Sequence, residues 1–249
     1  MRKPIHKFEK LTDLRDMLKK SEEKFGDNAA YVYKTDEPGK FREITYKQFA
    51  KDVKSFGTVL VNLGLKGKRI AVISDNRYEW CVTYLAVATG TGVIVPLDKA
   101  LPANEIESLM IRSEVEAIVY SNKYDEIMND VKNRNTSNVK YFISMDLNKK
   151  ENDIYSQKEL MEQGAKLLED GNREYLDSEI DAEAMGIMLF TSGTTAMSKA
   201  VMLSQRNICA NLMDIASVIK LVPEDRMLSF LPLHHTFECT VGFLYPISK

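Results

Sequence analysis

Three short runs of the chain, Ile70-Ala71-Val72-Ile73, Val93-Ile94-Val95 and Ala117-Ile118-Val119-Tyr120, are apolar at every position. A strand with one wet face alternates apolar and polar residues, whereas a strand that is apolar throughout needs cover on both faces. Between these runs the spacing is helical. Asn76 with Glu79 opens a helix that reaches about Thr89, and Pro102 to Ser113 forms another. Strands alternating with helices of this length need crossover connections, which join parallel strands. The expected class is therefore α/β, with mainly parallel sheets flanked by helices. The 249 residues, 44 % of them apolar, suffice to bury such a core.

The flanking segments extend the pattern. Leu11, Leu14, Leu18 and Phe25 line one face of a first helix that ends near Gly26. Residues 29–34 and 41–45 read as a strand pair turning at Pro38-Gly39. Thr45-Tyr46-Lys47-Gln48 has the form of a capping box, and Phe49, Val53, Phe56, Leu60 and Leu63 form the stripe of the helix it opens, which Gly64 stops. Val139 to Ser144 reads as a further strand. Residues 145–183 are polar, with one helix opened by Ser156 and Glu159 and closed by Gly171; this stretch is a candidate boundary between two sub-structures. Ser204 suits an N-cap, with Ile208, Leu212, Ile215 and Ile219 along the helix after it, and Arg226 to Leu231 is strand-like. The chain stops at Lys249 with no stop signal, as a cut chain would.

Composition excludes several classes. A net charge of −2 gives no electrostatic case for a nucleic-acid or anionic-membrane partner. Cys81, Cys209 and Cys239 are far apart with no CxxC pair, which favours reduced thiols and a cytoplasmic setting. Trp80 to Leu97 carries no charge, but Thr83, Thr89, Gly90, Thr91, Gly92 and Pro96 divide it into helix, glycine turn and strand, so no transmembrane span is expected. No HExxH or comparable spacing points to a protein-bound metal.

The densest chemistry lies in Thr191-Ser192-Gly193-Thr194-Thr195-Ala196-Met197-Ser198-Lys199, between the apolar runs Ile187 to Phe190 and Val201 to Leu203. Hydroxyls and the free amides of a glycine turn donate to phosphate oxygens, and a lysine adds a point charge. A Walker A loop combines the same residue types. Here Ser198 stands where its second glycine belongs and Ala200 where its magnesium-binding Ser/Thr belongs. A Walker A loop also runs directly into a helix, whereas Val201-Met202-Leu203 predicts a strand. Downstream, His234 and His235 follow Pro232-Leu233; as adjacent residues their side chains are expected to diverge.

Phe190 to Lys199 resembles the signature loop of the AMP-forming adenylating enzymes, the superfamily of acyl-CoA synthetases, luciferases and peptide-synthetase adenylation domains. Arg69-Ile70-Ala71-Val72, Asn76-Arg77-Tyr78-Glu79-Trp80 and Gly92-Val93-Ile94-Val95-Pro96-Leu97 resemble its earlier segments. Leu231-Pro232-Leu233-His234-His235-Thr236-Phe237-Glu238 is similar to its next signature, in the form seen in long-chain fatty acid–CoA ligases. The resemblance covers residues 1–249 as a partial N-terminal AMP-binding domain, the first part of that family's large domain. It implies a two-step reaction. A carboxylic acid, here a fatty acid, attacks Mg2+-bound ATP to give an acyl-adenylate, and the thiol of CoA then displaces AMP. Thr191, Ser192, Gly193, Thr194, Thr195 and Lys199 would bind the β- and γ-phosphates, and His235 would be the catalytic-site gate between nucleotide and acyl or CoA channel. The family's adenine-binding segment, ribose-binding aspartate, hinge and late lysine lie beyond position 249, so residues 1–249 alone are expected to be inactive. Ala196 and Ala200 stand where the family has glycine; a Cβ at a left-handed position costs about 1–2 kcal/mol. The alternatives are a non-catalytic nucleotide- or acyl-binding module and a P-loop NTPase or kinase.

Overall fold

The apolar runs form the middle of one twisted sheet. The computed structural model of the chain describes residues 5–35, 37–191 and 198–249. Its main sheet has seven strands: β3 (Lys68–Ile73), β4 (Gly92–Pro96), β5 (Ala117–Tyr120), β6 (Tyr141–Ser144), β7 (Ile154–Ser156), β8 (Met185–Thr191) and β9 (Lys199–Ser204). Their spatial order is β7-β6-β5-β3-β4-β8-β9. Every adjacent pair is parallel except β8–β9, and Ile70 stands beside Ile94 on one side and Ala117 on the other. A two-stranded antiparallel sheet, β1 (Ala29–Lys34) with β2 (Phe41–Thr45), lies outside it.

Alternation along β3 explains why its run is apolar throughout. Ile70 and Val72 face one side, among residues of α2 (Tyr46–Leu60), α3 (Tyr78–Ala86), α6 (Gln157–Glu169) and α7 (Gln205–Val218), including Phe56, Trp80, Leu160 and Leu212. Ala71 and Ile73 face the other, against Ile106, Leu109 and Met110 of α4 (Ala103–Arg112) and Met128 and Val131 of α5 (Asp125–Arg134). Each face thus buries its own apolar set, as βαβ crossovers on both sides require. The expected α/β class and its parallel sheet hold. Among the described residues, no helix is long and apolar enough to cross a membrane.

Distant parts of the chain close on one another through polar contacts. In α1 (Leu14–Phe25) the cap Asp13 accepts from the Asp16 amide. Buried Gln205 accepts from the Leu14 amide at 2.9 Å and donates to the Ala88 carbonyl at 2.7 Å. Arg15 donates to the carbonyls of Thr89, Tyr175, Leu176 and Ser178 and to the Ser178 hydroxyl, all within 3.0 Å. The buried Tyr175 hydroxyl meets Thr89 Oγ1 at 2.7 Å. The polar stretch 145–183 is thereby tied to the first helix and to the turn before β4. Its helix, α6, crosses α2 at Gly164, where a Cβ would sit 1.9 Å from the Ser55 carbonyl oxygen. Only glycine permits that approach.

Several local readings need correction. The helix α5 and the three-residue β7 were not expected; α5 buries only Met128 and Val131, too few to print a stripe on a polar sequence. Thr45 caps α2 through the Gln48 amide, but the Gln48 side chain donates to Asp52 instead of returning, so the box is half made. Asn76 is no cap: α3 begins after Arg77, with no side-chain cap. Residues 226–231 belong to no strand or helix, pair with no strand among the described residues, and expose Leu228 and Phe230.

Candidate functional site

The parallel strands end at one edge of the sheet, and ligands of open α/β sheets bind outside that carboxyl edge. Two features with chemistry meet it. The first is the β8–β9 hairpin. Thr191, the last residue of β8, stands directly opposite Lys199, the first of β9. Directly opposed residues of an antiparallel pair project on the same face, with Cβ atoms about 5 Å apart. Both are exposed, so a hydroxyl and a lysine share the mouth of the hairpin. Ser192, Gly193, Thr194, Thr195 and Ala196, expected to bind phosphate or flank that site, lie outside the described residues.

Ser198, just before Lys199, is held by a group that nothing in the local sequence singled out. Arg112, the last residue of α4, donates to the Ser198 carbonyl at 2.7 Å and sets its guanidinium 5.7 Å from the Phe190 ring centroid. In the sequence it reads as an ordinary cation at a helix C-terminus. Lys199 begins a strand, and α7 begins only at Gln205, capped by Ser204 in a full box with Asn207. That order excludes a Walker A arrangement. Ala200 pairs with Phe190 in the regular ladder and has no positive φ, so a Cβ there is unstrained.

The second feature is the histidine turn. The His235 amide bonds the Pro232 carbonyl at 3.0 Å, and the Cys239 amide bonds the His235 carbonyl, opening a π-helical turn over Glu238–Leu244 that α8 (Tyr245–Ile247) continues. Because the backbone turns here, the two rings do not diverge as expected. They lie 4.3 Å apart, centroid to centroid, at 43°. The His235 ring is exposed; the His234 side chain is only 8 % exposed. His234 Nε2 approaches Asp98 Oδ1, just past β4, at 3.1 Å but off the line of a hydrogen bond. Burial draws the His234 pKa down to about 4; nearby Asp98 opposes the shift, while His235 and Lys99 add to it. His234 is therefore neutral at pH 7.

Asn76, three residues past β3, holds the approach to this turn. Its Nδ2 donates to the Leu231 carbonyl at 2.7 Å and to Ser229 Oγ at 2.9 Å, and its Oδ1 accepts from the Leu233 amide at 3.2 Å. Ser229 Oγ donates on to the buried Glu238 carboxylate at 2.7 Å. Glu238 folds back over Gly242, where a Cβ would lie 2.4 Å from its carboxyl. The hairpin mouth and the histidine turn thus share the carboxyl edge of the sheet, but no described contact joins His235 to Thr191 or Lys199. A cleft of about 640 Å³ opens between the β1–β2 hairpin, the start of α3, residues 221–229 and residues 242–249, and Asn76, Ser229 and Leu233 lie on its wall. It is walled by Tyr31, Tyr46, Tyr78 and Phe243, and none of the predicted site residues lines it.

A family profile described as AMP-binding enzyme matches residues 18–249. A CoA ligase of Gibberella moniliformis is 33 % identical over 183 residues, 74 % of this chain and 28 % of its own length. A chloroplastic long-chain-fatty-acid–[acyl-carrier-protein] ligase of Arabidopsis thaliana is 29 % identical, over 90 % of this chain and 32 % of its own. The inhibitor-bound N-terminal domain of FACL13 from Mycobacterium tuberculosis has the same fold, with a TM-score of 0.79 at 22 % identity, over 96 % of this chain and 55 % of that one. The chain spans about a third of the length of these two curated relatives.

Proposed function

The chain belongs to the AMP-binding enzyme family, and from that premise we propose that it carries the phosphate-gripping part of a fatty acid–CoA ligase. In this reading a fatty carboxylate attacks the α-phosphate of ATP, giving an acyl-adenylate and pyrophosphate. The thiol of CoA then displaces AMP. Thr191, Ser192, Gly193, Thr194, Thr195 and Lys199 hold the β- and γ-phosphates, neutralising and orienting the pyrophosphate as it leaves. Mg2+ enters with ATP. His235, exposed at the same edge of the sheet, stands between the nucleotide and the acyl or CoA path. The setting is cytoplasmic. Residues 1–249 alone bind the polyphosphate end of ATP without turning it over, because the segments for adenine and ribose come later in the family's chains.

The observation that carries this reading is the pairing of Thr191 with Lys199 at the mouth of a strand–loop–strand hairpin on the carboxyl edge of a parallel sheet. A lysine–phosphate hydrogen bond contributes about 1.5–3 kcal/mol, or roughly ten- to a hundredfold in affinity. Isothermal titration of the 249-residue chain with pyrophosphate and with ATP tests it. Binding should weaken at least about tenfold in Lys199→Ala, with the melting temperature unchanged because Lys199 is exposed. Failure of the unaltered chain to bind pyrophosphate, or equal binding by Lys199→Ala, would sink the assignment. ATP–pyrophosphate exchange well above background from residues 1–249 would overturn the part about turnover.

A further inference from the structure

The segment that delivers the two histidines has little of its own to hold it. Residues 226–231 lack a strand partner among the described residues, and Leu228 and Phe230 are 81 % and 73 % exposed. Leu233 is buried, yet one apolar side chain does not fix the rotation of the backbone on either side of it. What fixes it is a single carboxamide. In a parallel ladder, one residue donates its N–H to a carbonyl on the neighbouring strand and accepts from the amide two residues further on. Asn76 makes that pair of bonds with its side chain, to the carbonyl of Leu231 and the amide of Leu233. Its second Nδ2 proton goes to Ser229, whose own proton goes to Glu238, the residue that opens the helical turn beyond the histidines. The approach to the turn and its exit are thereby tied to the carboxyl end of β3. Asparagine alone has two donors and an acceptor at this reach; aspartate has the same shape and no donor.

We propose that Asn76, with Ser229 and Glu238, is the positioning element that sets the orientation of the His234–His235 turn for the chemistry of the site. The proposal rests on the reading of His235 given above, in that the turn matters for catalysis only if His235 faces the reacting groups. The hydrogen-bond chain runs from a neutral amide through a hydroxyl to a carboxylate, so each bond strengthens the next. Its effect reaches the rings because Leu233 adjoins His234, and His234 packs between Asp98 and the His235 ring.

The chain has only three histidines, His6, His234 and His235, so its imidazole proton resonances can be followed by NMR without selective labelling. His6, far from the turn in sequence, serves as the internal control. In Asn76→Asp and Asn76→Ala the resonances of His234 and His235 should shift while that of His6 stays. The His234 midpoint should rise from about 4 by roughly one unit or more toward the ordinary 6.5, as the ring gains solvent beside Asp98, Lys99 and His235. Ser229→Ala should reproduce part of the shift, and Glu238→Gln, whose amide oxygen still accepts the Ser229 proton but carries no charge, should shift the two resonances less than Ser229→Ala does. Ser229→Ala also serves if the Asn76 variants fail to fold, since it leaves the bonds to Leu231 and Leu233 intact. Unmoved His234 and His235 resonances in folded Asn76→Asp, or in Ser229→Ala should the Asn76 variants not fold, would overturn the proposal. These spectra need no ligand. Shifted histidines in a chain that binds no pyrophosphate would therefore leave the positioning intact and remove the functional reading instead.

Discussion

Replacing Gly164 with alanine tests how closely α6 is seated. In a free helix this change stabilises by about 1 kcal/mol, because alanine loses less backbone entropy. Here the new Cβ would lie 1.9 Å from the Ser55 carbonyl oxygen, where ordinary contact begins at 3.4 Å. The obstructing atom is helix backbone, which cannot rotate aside as a side chain can. The α2–α6 crossing must therefore open by the difference, 1.5 Å. Opening it loosens Leu160 and Phe56, which are buried in the same layer. Overpacking of this kind costs about 1–3 kcal/mol, and a backbone obstacle places it at the upper end. Subtracting the helical gain leaves a net loss of about 2 kcal/mol. Urea unfolding of the two proteins reads this as a lower midpoint at unchanged slope. If Gly164→Ala proves as stable as the parent, or more so, the helices are not in contact at this point and the packing argument fails.

Two further expectations concern the site. Because the His234 pKa lies at about 4 in the folded chain and near 6.5 when unfolded, the unfolded state takes up the proton first as the pH falls. The stability it contributes is complete above about pH 6.5 and is lost on acidification toward pH 4, by at most ~3 kcal/mol and less where solvent screens the site. Urea midpoints of the parent and of His234→Gln, compared at pH 7 and pH 4.5, should converge at the lower pH; a constant gap would refute the assignment. Ala200→Gly, which introduces the glycine that the resemblance led us to expect there, should lower stability by about 0.5–1 kcal/mol, since Ala200 lies in a regular ladder opposite Phe190. A gain in stability from that glycine would mean that the alanine is strained.

The sheet was legible because its signal is local. Each run such as Ile70 to Ile73 carries in its own residues the information that both faces are covered, and Ser204 announces α7 by the same local logic. The hairpin was readable too, from apolar runs on either side of the hydroxyl-rich stretch, and Lys199 proved to begin a strand. What failed depends on partners far away in the chain. Asn76 with Glu79 has the spacing of a helix start, yet Asn76 spends its bonds on residues more than 150 positions later. Residues 226–231 have strand-like composition, but a strand exists only where another lies beside it. The adjacent histidines would diverge in an extended chain; the turn from Pro232 to His235 brings their rings together. Arg112 left no local mark because its partner, the Ser198 carbonyl, is backbone.

Gln205 carries a consequence for the order in which the molecule is assembled. The Leu14 amide finds its acceptor 191 residues later, and the Ile5 and His6 amides find theirs at Ser217. At ribosomal speeds of about 5–20 residues per second, the first helix waits roughly 10–40 seconds for the Gln205 acceptor, long after α2 and the Thr89 carbonyl have been made. During that interval Leu14, Met17 and Leu18, all buried in the finished fold, have no α7 to close over them. The first helix is thus made well before α7, and the last of its bonds close only with α7. A nascent chain arrested before residue 205 should present it to proteases and to holding chaperones, and release just past α7 should withdraw it.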